Sequence, residues 1–295
     1  MPRAEIGFIG GSSTFDIRFP EDVAAPKGGV TVIADGAIFR TPYGESPPFK
    51  IFSLEDDRGE TTQVLTCRMH GWRAGVTRRQ ASCQVFWVFR EAGVQSVLAE
   101  GGVGAVSRLL EPRDLVIVDD YIDVSTRRDV SISDDYLLIM REPFCPELRD
   151  VLEGVALDLG ARDFGRVFRR GVYAVTDGRH FESRAEVAAL KTWGADVVGQ
   201  SLAPEVYLAR EIGSCYAGLY LVVNYAEGVV RDWEHEELTD AFRSCAPGMG
   251  ELLLEAIRRL SGRVGRSCGC LELRKPTLLA GDPPRADTPS ARTGL

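Results

Sequence analysis

The sequence predicts an α/β fold, a three-layer αβα sandwich with helices on both faces of a β-sheet, and three observations lead there. Short apolar runs alternate with segments whose apolar residues recur at helical spacing. Most apolar runs end in glycine or a polar side chain, as strands do when they deliver loops to one edge of a sheet. Composition allows a large core: 44% of the 295 residues are hydrophobic and 26% charged. No run of eighteen apolar residues offers a membrane span.

The elements follow in order. AEIGFIGGSS pairs a short apolar strand with a glycine turn. Val30 to Ile33, Ala37 to Phe39 and Lys50 to Ser53 read as strands, broken by Gly36 and by TPYGESPP. Ala81, Val85, Val88 and Phe89 predict a helix over 77–92. VQSVLAE and DLVIVDDYID read as buried strands separated by a glycine loop, GGVGAV. CPELRDVLEGVALDLG is a helix and GVYAVTDG a strand; SRAEVAALKTWG is a helix whose Ser183 and Glu186 fit a capping box. ADVVGQS is a strand, PEVYLAREIG a helix opened by proline, and CYAGLYLVVNYAE a long apolar strand. The last helical pattern, ELTDAFRSCAPGMGELLLEAIRRLSGRV, is interrupted at Pro247-Gly248.

Net charge is −8 without a block of like charges, which argues against nucleic acid as a partner. The N-terminus enters a strand almost at once, with no basic-plus-apolar leader, so a cytoplasmic chain without a membrane anchor is expected. The seven cysteines are scattered and read as mostly buried, reduced thiols. Cys268-Gly269-Cys270 is the one close pair; with only three histidines in the chain no metal site is expected, and a redox-sensitive pair is the other reading. GDPPRADTPSARTGL closes the chain with the composition of a disordered tail.

In this architecture ligands gather at the carboxyl ends of strands. The polar or glycine-bearing ends are Gly10-Gly11-Ser12, Arg68 to His70, Glu100 to Gly104, Asp177 to Glu182, Gln200-Ser201 and Asn224. They describe a small-molecule site without naming the molecule.

The same segments carry a resemblance. Residues 177–227, DGRHFESRAEVAALKTWGADVVGQSLAPEVYLAREIGSCYAGLYLVVNYAE, resemble in order and spacing the signature blocks of the trimeric purine nucleoside phosphorylase and methylthioadenosine phosphorylase family. IGFIGGSS, TPYGE, DLVIVDDYID and REPFCPELR add four more blocks, collinear with the first, so the resemblance spans about residues 5–260. It implies a single nucleoside phosphorylase-like domain over 1–275 with a central mixed sheet, and a disordered tail over 276–295.

The resemblance also implies a chemistry: phosphate attacks a purine nucleoside to give free base and pentose 1-phosphate, with no cofactor beyond phosphate as co-substrate. Ser12, Arg68, His70 and Ser201 would hold the phosphate, through hydroxyls, a guanidinium fork and an imidazole. Taken singly, each is equally a turn serine, a surface arginine or a satisfied histidine. Asn224 and Glu182 would read a 6-oxopurine: an amide serves O6 and N7, and a carboxylate accepts from N1–H. Relatives that prefer adenine tend to carry aspartate at the positions of Asn224 and Ala226. Structurally, Asn224 also suits a strand end and Glu182 a helix cap. Gly102, Val103, Phe181, Gln200, Trp72 and His235 complete the expected base and sugar contacts. A homotrimer is implied, with REPFCPELR at the contact between subunits.

Several positions depart from the family pattern. Glu100 replaces a small or hydroxylated residue beside the phosphate pocket, where a carboxylate repels a dianion unless paired, for instance with Arg68. Gln200 stands where a methionine usually packs under the sugar, Arg179-His180 replace a proline-containing pair, and Leu137 sits near a position that is histidine in methylthioadenosine-type members. Two alternatives stay open: a nucleoside hydrolase in which Glu100 activates water, and a nucleoside-binding protein without turnover.

Overall fold

A computed structural model of the protein describes residues 1–23, 29–55, 59–160, 164–261 and 266–277. Of the expected tail, residues 278–295 lie outside the described residues. In chain order the main elements are β1 (Ile6–Ile9), β2 (Val30–Ala37), β3 (Phe49–Glu55), β4 (Thr61–Cys67), α1 (Arg78–Ala92), β5 (Ser96–Ala105), β6 (Leu115–Ile117) and β7 (Asp120–Asp123). There follow α2 (Pro146–Leu159), β8 (Val167–Phe168), β9 (Val172–Val175), α3 (Arg184–Thr192), β10 (Val197–Gly199), α4 (Leu202–Glu211), β11 (Cys215–Tyr225) and α5 (His235–Leu260).

The eleven strands form one mixed sheet in the order β8-β6-β11-β5-β1-β4-β3-β2, with β10 joining β5 and β9 bridging β10 to β7. Its centre is parallel, β4 on β1, β1 on β5 and β5 on β11; β3 runs antiparallel to β4, β2 to β3 and β6 to β11, while β8 is parallel to β6. Two helical layers cover it, as the alternating pattern requires. Along β11, Tyr216, Tyr220 and Val222 join one apolar cluster with α1 and α4, while Cys215, Ala217, Leu219 and Leu221 join another with α2 and α5. Such strands, buried on both faces, read as continuous apolar runs. α3 packs on a third cluster around Ala174 and Val198.

The topology opens a gap in the middle of the sheet. β1 pairs with β5 only as far as Ala99, and β10 takes up pairing on that side only at Gly104 and Ala105. Residues 100–103 therefore have no strand neighbour along one edge, and the loops after β1 and β4 fill that place. A crevice at the point where strand order changes is the standard ligand position of α/β sheets.

Four local expectations are corrected. Of the expected glycine loop GGVGAV, residues 101–105 are the second half of β5, paired with β11. Ala37 to Phe39 is not a separate strand, because β2 continues through Gly36 at φ +80° and ends at Ala37, with register shifts on β3 absorbing the bend. The strand Thr61–Cys67 was not read from its mixed polar sequence. Pro247 does not interrupt α5, which carries buried Ala241, Cys245, Met249 and Leu253 past it while Pro247 itself faces solvent. Burial of that stripe outweighs the cost of one missing hydrogen bond.

Candidate active site

A cavity of about 340 Å³ opens at the gap in the sheet. Ser12, His70, Trp72, Gly102, Val103, Phe181, Glu182, Gln200, Ser201, Asn224 and Ala226 all line it, as expected from sequence.

One part of the wall is a set of donors around Gly101 and Gly102. After β4 the chain makes a tight turn in which Met69 and His70, at φ 49° and 54°, adopt left-handed backbone that side chains disfavour. Hydrogen bonding of His70 N–H to the Gly10 carbonyl at 3.1 Å ties this turn to the loop after β1. His70 Nδ1 lies 2.8 Å from Glu205 Oε1, so Nδ1–H donates to the carboxylate and Nε2 is turned to the cavity. Ser12 Oγ accepts from Gly102 N–H at 2.9 Å, which leaves its own hydrogen for a ligand. Tyr173 Oη accepts from Ser201 N–H at 3.4 Å and lies 3.3 Å from Ser201 Oγ. With the tyrosine proton given to Oγ, the serine hydrogen is likewise free. The glycines make room: a Cβ on Gly102 would stand 3.1 Å from Ser12 Oγ and collide with the Phe242 ring. Two oriented hydroxyl donors over a bare backbone, with His70 Nε2 placed to accept from a P–OH, suit a hydrogen phosphate ion.

Glu100 is fully buried and does not line the cavity. Its carboxylate accepts from the N–H groups of Gly11, Ser13 (3.0 Å) and Thr14 (3.2 Å) and from the Thr14 hydroxyl at 2.6 Å. The expected repulsion of phosphate is thus answered by backbone amides rather than by Arg68. Both oxygens are occupied and sealed from the cavity, so the geometry does not support Glu100 as a base that activates water. It anchors the loop that presents Ser12.

A second part of the wall carries base-reading groups. A bulge between Val222 and Asn224 shifts the register of β11 against β5, and both Val223 and Asn224 reach the cavity. Asn224 Nδ2 donates to the Tyr225 carbonyl at 2.9 Å, while Oδ1 is a buried acceptor with no partner. An orphaned acceptor of this kind is costly unless a ligand fills it. Glu182 is buried too; Oε1 accepts from Thr176 Oγ1 at 2.5 Å. Phe181 stands at the rim, 54% exposed, with its ring 4.8 Å from that of Trp233.

Sequence reasoning missed a third, cationic part. Arg78 stacks 3.8 Å from the Trp72 ring centroid and donates to Gln200 Oε1 at 3.0 Å and to the Asp177 carbonyl at 2.8 Å. Burial, then Arg127 and Arg179, pull its guanidinium down to about 10, so it stays cationic at neutral pH. Gln200 is held from both ends, its Nε2 donating to the His180 carbonyl. Arg179 and His180, noticed in the sequence only as departures, also line the cavity, as do Leu238 and Phe242 of α5. No sequence signal marked Arg78, which reads as an ordinary first-turn residue. Glu205 was visible in the proline-glutamate-valine block but had no role until the fold placed it under His70.

Besides Glu100, two expected site residues stand outside the cavity. Arg68 is exposed and outside the cavity: its guanidinium donates to the Phe15 and Ile17 carbonyls and lies over the Phe15 ring. The left-handed turn that sends His70 inward leaves Arg68 on the outside. His235 is the exposed first residue of α5, and Leu238 and Phe242 take the cavity-facing positions of that helix. Leu137 lies away from the cavity, 64% exposed, on a short strand, Tyr136–Leu138, paired with Arg274–Pro276. Among the described residues no helix is long and apolar enough to cross a membrane.

Comparison with known proteins places these features. The family model described as the phosphorylase superfamily matches residues 27–258. An S-methyl-5'-thioadenosine phosphorylase of Pyrococcus horikoshii is 30% identical over 280 residues, 93% of this chain and 98% of that protein. A 6-oxopurine nucleoside phosphorylase of Pyrococcus furiosus is 31% identical over 288 residues, with the same shares covered. Among solved structures, a methylthioadenosine phosphorylase from an Antarctic soil metagenomic library has a TM-score of 0.74 at 23% identity, covering 92% of this chain and 91% of that one, a likeness of fold.

Proposed function

The chain belongs to the phosphorylase superfamily, and from that membership and its cavity we propose that it is a pentosyltransferase that cleaves the N-glycosidic bond of a 6-oxopurine nucleoside with phosphate. The substrate is inosine, guanosine or a 5'-modified analogue such as 5'-methylthioinosine; the products are the free base and a pentose 1-phosphate. The observation that carries this reading is the unpartnered buried acceptor Asn224 Oδ1 in the same cavity as the Ser12 and Ser201 hydroxyls and His70 Nε2. Asn224 pairs with Gly104 on β5, three residues beyond Gly101, a separation of about 10 Å along the strand that leaves room for a sugar between phosphate and base.

In this mechanism the glycosidic bond breaks as positive charge grows on the anomeric carbon and electrons flow into the purine. As the bond to N9 breaks, the purine takes a proton from solvent at N7; Asn224 Oδ1 accepts from that N7–H, and the free oxygen of Glu182 accepts from N1–H. Phosphate, held by Ser12, His70, Ser201 and the facing Arg78, stabilises the cationic sugar and attacks its anomeric carbon. Phosphate is the only co-substrate this chemistry needs. The resemblance further supports a homotrimer in which a neighbouring chain covers the open rim beside Phe181; sedimentation of the purified protein tests it.

Phosphorus NMR of inosine incubated with phosphate and enzyme tests the reaction. A new pentose 1-phosphate resonance growing with free hypoxanthine is expected. Hypoxanthine with free ribose and unchanged phosphate would contradict it.

A further inference from the structure

Four cysteines far apart in sequence meet at the opposite end of β11 from the cavity. Cys145 is the N-cap of α2, Cys215 opens β11, and Cys268 and Cys270 flank Gly269 at the start of a short 3-10 helix, Gly269–Leu273. Their four Sγ atoms lie within 4.8 Å of one another, and Cys215 Sγ is 3.4 Å from Cys268 Sγ. All four are free thiols; three are buried and Cys268 is half-buried.

We propose that Cys145, Cys215, Cys268 and Cys270 form a structural site for one tetrahedral zinc ion. With Zn–S bonds of about 2.3 Å, tetrahedral geometry sets sulfur atoms about 3.8 Å apart, within reach of the observed spacing by small side-chain rotations. Disulfides join sulfurs in pairs at about 2 Å, whereas here each sulfur neighbours the other three. The expectation of no metal counted only the Cys268-Cys270 pair; the fold supplies the missing two ligands. On binding, zinc takes four thiolates and their protons pass to solvent.

The surroundings suit the resulting negative charge. The 14-residue α2 points its positive end at Cys145. Arg210, itself buried, donates Nη1–H to the Cys270 carbonyl at 2.9 Å and reaches the Glu142 carbonyl with Nη2. Four protein ligands leave no open coordination position, and Asn224 lies nine positions beyond Cys215 along β11, about 30 Å away. The ion is therefore structural: it clasps the C-terminal segment to the central strand and to α2.

Metal analysis of the full-length protein, purified without chelators under reducing conditions, tests the site together with cobalt substitution. Close to one zinc per chain is expected. The cobalt form should show sulfur-to-metal charge-transfer absorption and the intense visible bands of tetrahedral cobalt, and chelation should lower the thermal midpoint by about 10 °C. Cys268→Ser and Cys270→Ser should lose the cobalt spectrum while keeping the far-ultraviolet circular dichroism of the parent. Reduced protein that takes up neither ion would overturn the proposal, as would disulfides among these cysteines in a metal-free, fully folded chain. If the variants misfold, the cobalt spectrum of the unaltered protein decides alone.

Discussion

His70 Nδ1 and Glu205 Oε1 face each other at 2.8 Å with side chains only 3% and 2% exposed, and this contact turns the other ring nitrogen into the cavity. Glu205 also accepts from the Tyr216 hydroxyl at 3.0 Å, so the carboxylate is itself fixed. It acts through His70 and does not line the cavity. Glu205→Gln removes one charge-assisted hydrogen bond of about 1.5–3 kcal/mol, a roughly tenfold to hundredfold effect. The expected loss is in kcat/KM for phosphate, with the KM for inosine little changed. Steady-state kinetics with each substrate varied in turn checks it; an equal rise in both KM values would indicate a merely structural contact.

Asn224→Asp replaces the neutral amide at the base with a carboxylate. Its preference should move from 6-oxopurine toward 6-aminopurine nucleosides, with kcat/KM for inosine falling about tenfold to hundredfold, as expected for one mismatched buried hydrogen-bonding group. Parallel assays on inosine and adenosine read the ratio directly.

Glu100→Ala leaves the amides of Gly11, Ser13 and Thr14 and the Thr14 hydroxyl without their acceptor. Each buried unsatisfied group costs about 1–3 kcal/mol, so a loss of at least about 3 kcal/mol in stability is expected. Denaturant unfolding measures this. A variant as stable as the parent would show that the carboxylate is not the anchor of the loop.

Arg68→Ala should change the KM for phosphate less than about threefold and cost no more than about 1 kcal/mol, since its guanidinium bonds two carbonyls at the surface. His70→Ala should raise the same KM at least about tenfold. The two variants, assayed side by side, distinguish the inward side chain from the outward one.

These contrasts show what was legible in the sequence. Asn224 could be found because a long apolar strand ends on it, but the bulge at Val223 that accompanies it into the cavity left no trace in the residue pattern. Arg68 and His70 matched a familiar spacing, yet the left-handed turn between them sends the two side chains to opposite sides of the chain. Glu100 read as an intruding charge because its partners, three backbone amides and the Thr14 hydroxyl, lie 86–89 residues away, and backbone carries no sequence signal. Likewise the four cysteines looked scattered until α2, β11 and the C-terminal segment came together. Alternating periodicity made the layers of the sheet readable, whereas partners remote in sequence were not.

The measurement that bears most directly on the central claim is base release from inosine and adenosine, each with and without saturating phosphate. Hypoxanthine release that requires phosphate, at a kcat/KM for inosine at least about tenfold above that for adenosine, is the predicted result. Release independent of phosphate, or adenosine cleaved as well as inosine, would contradict the assignment.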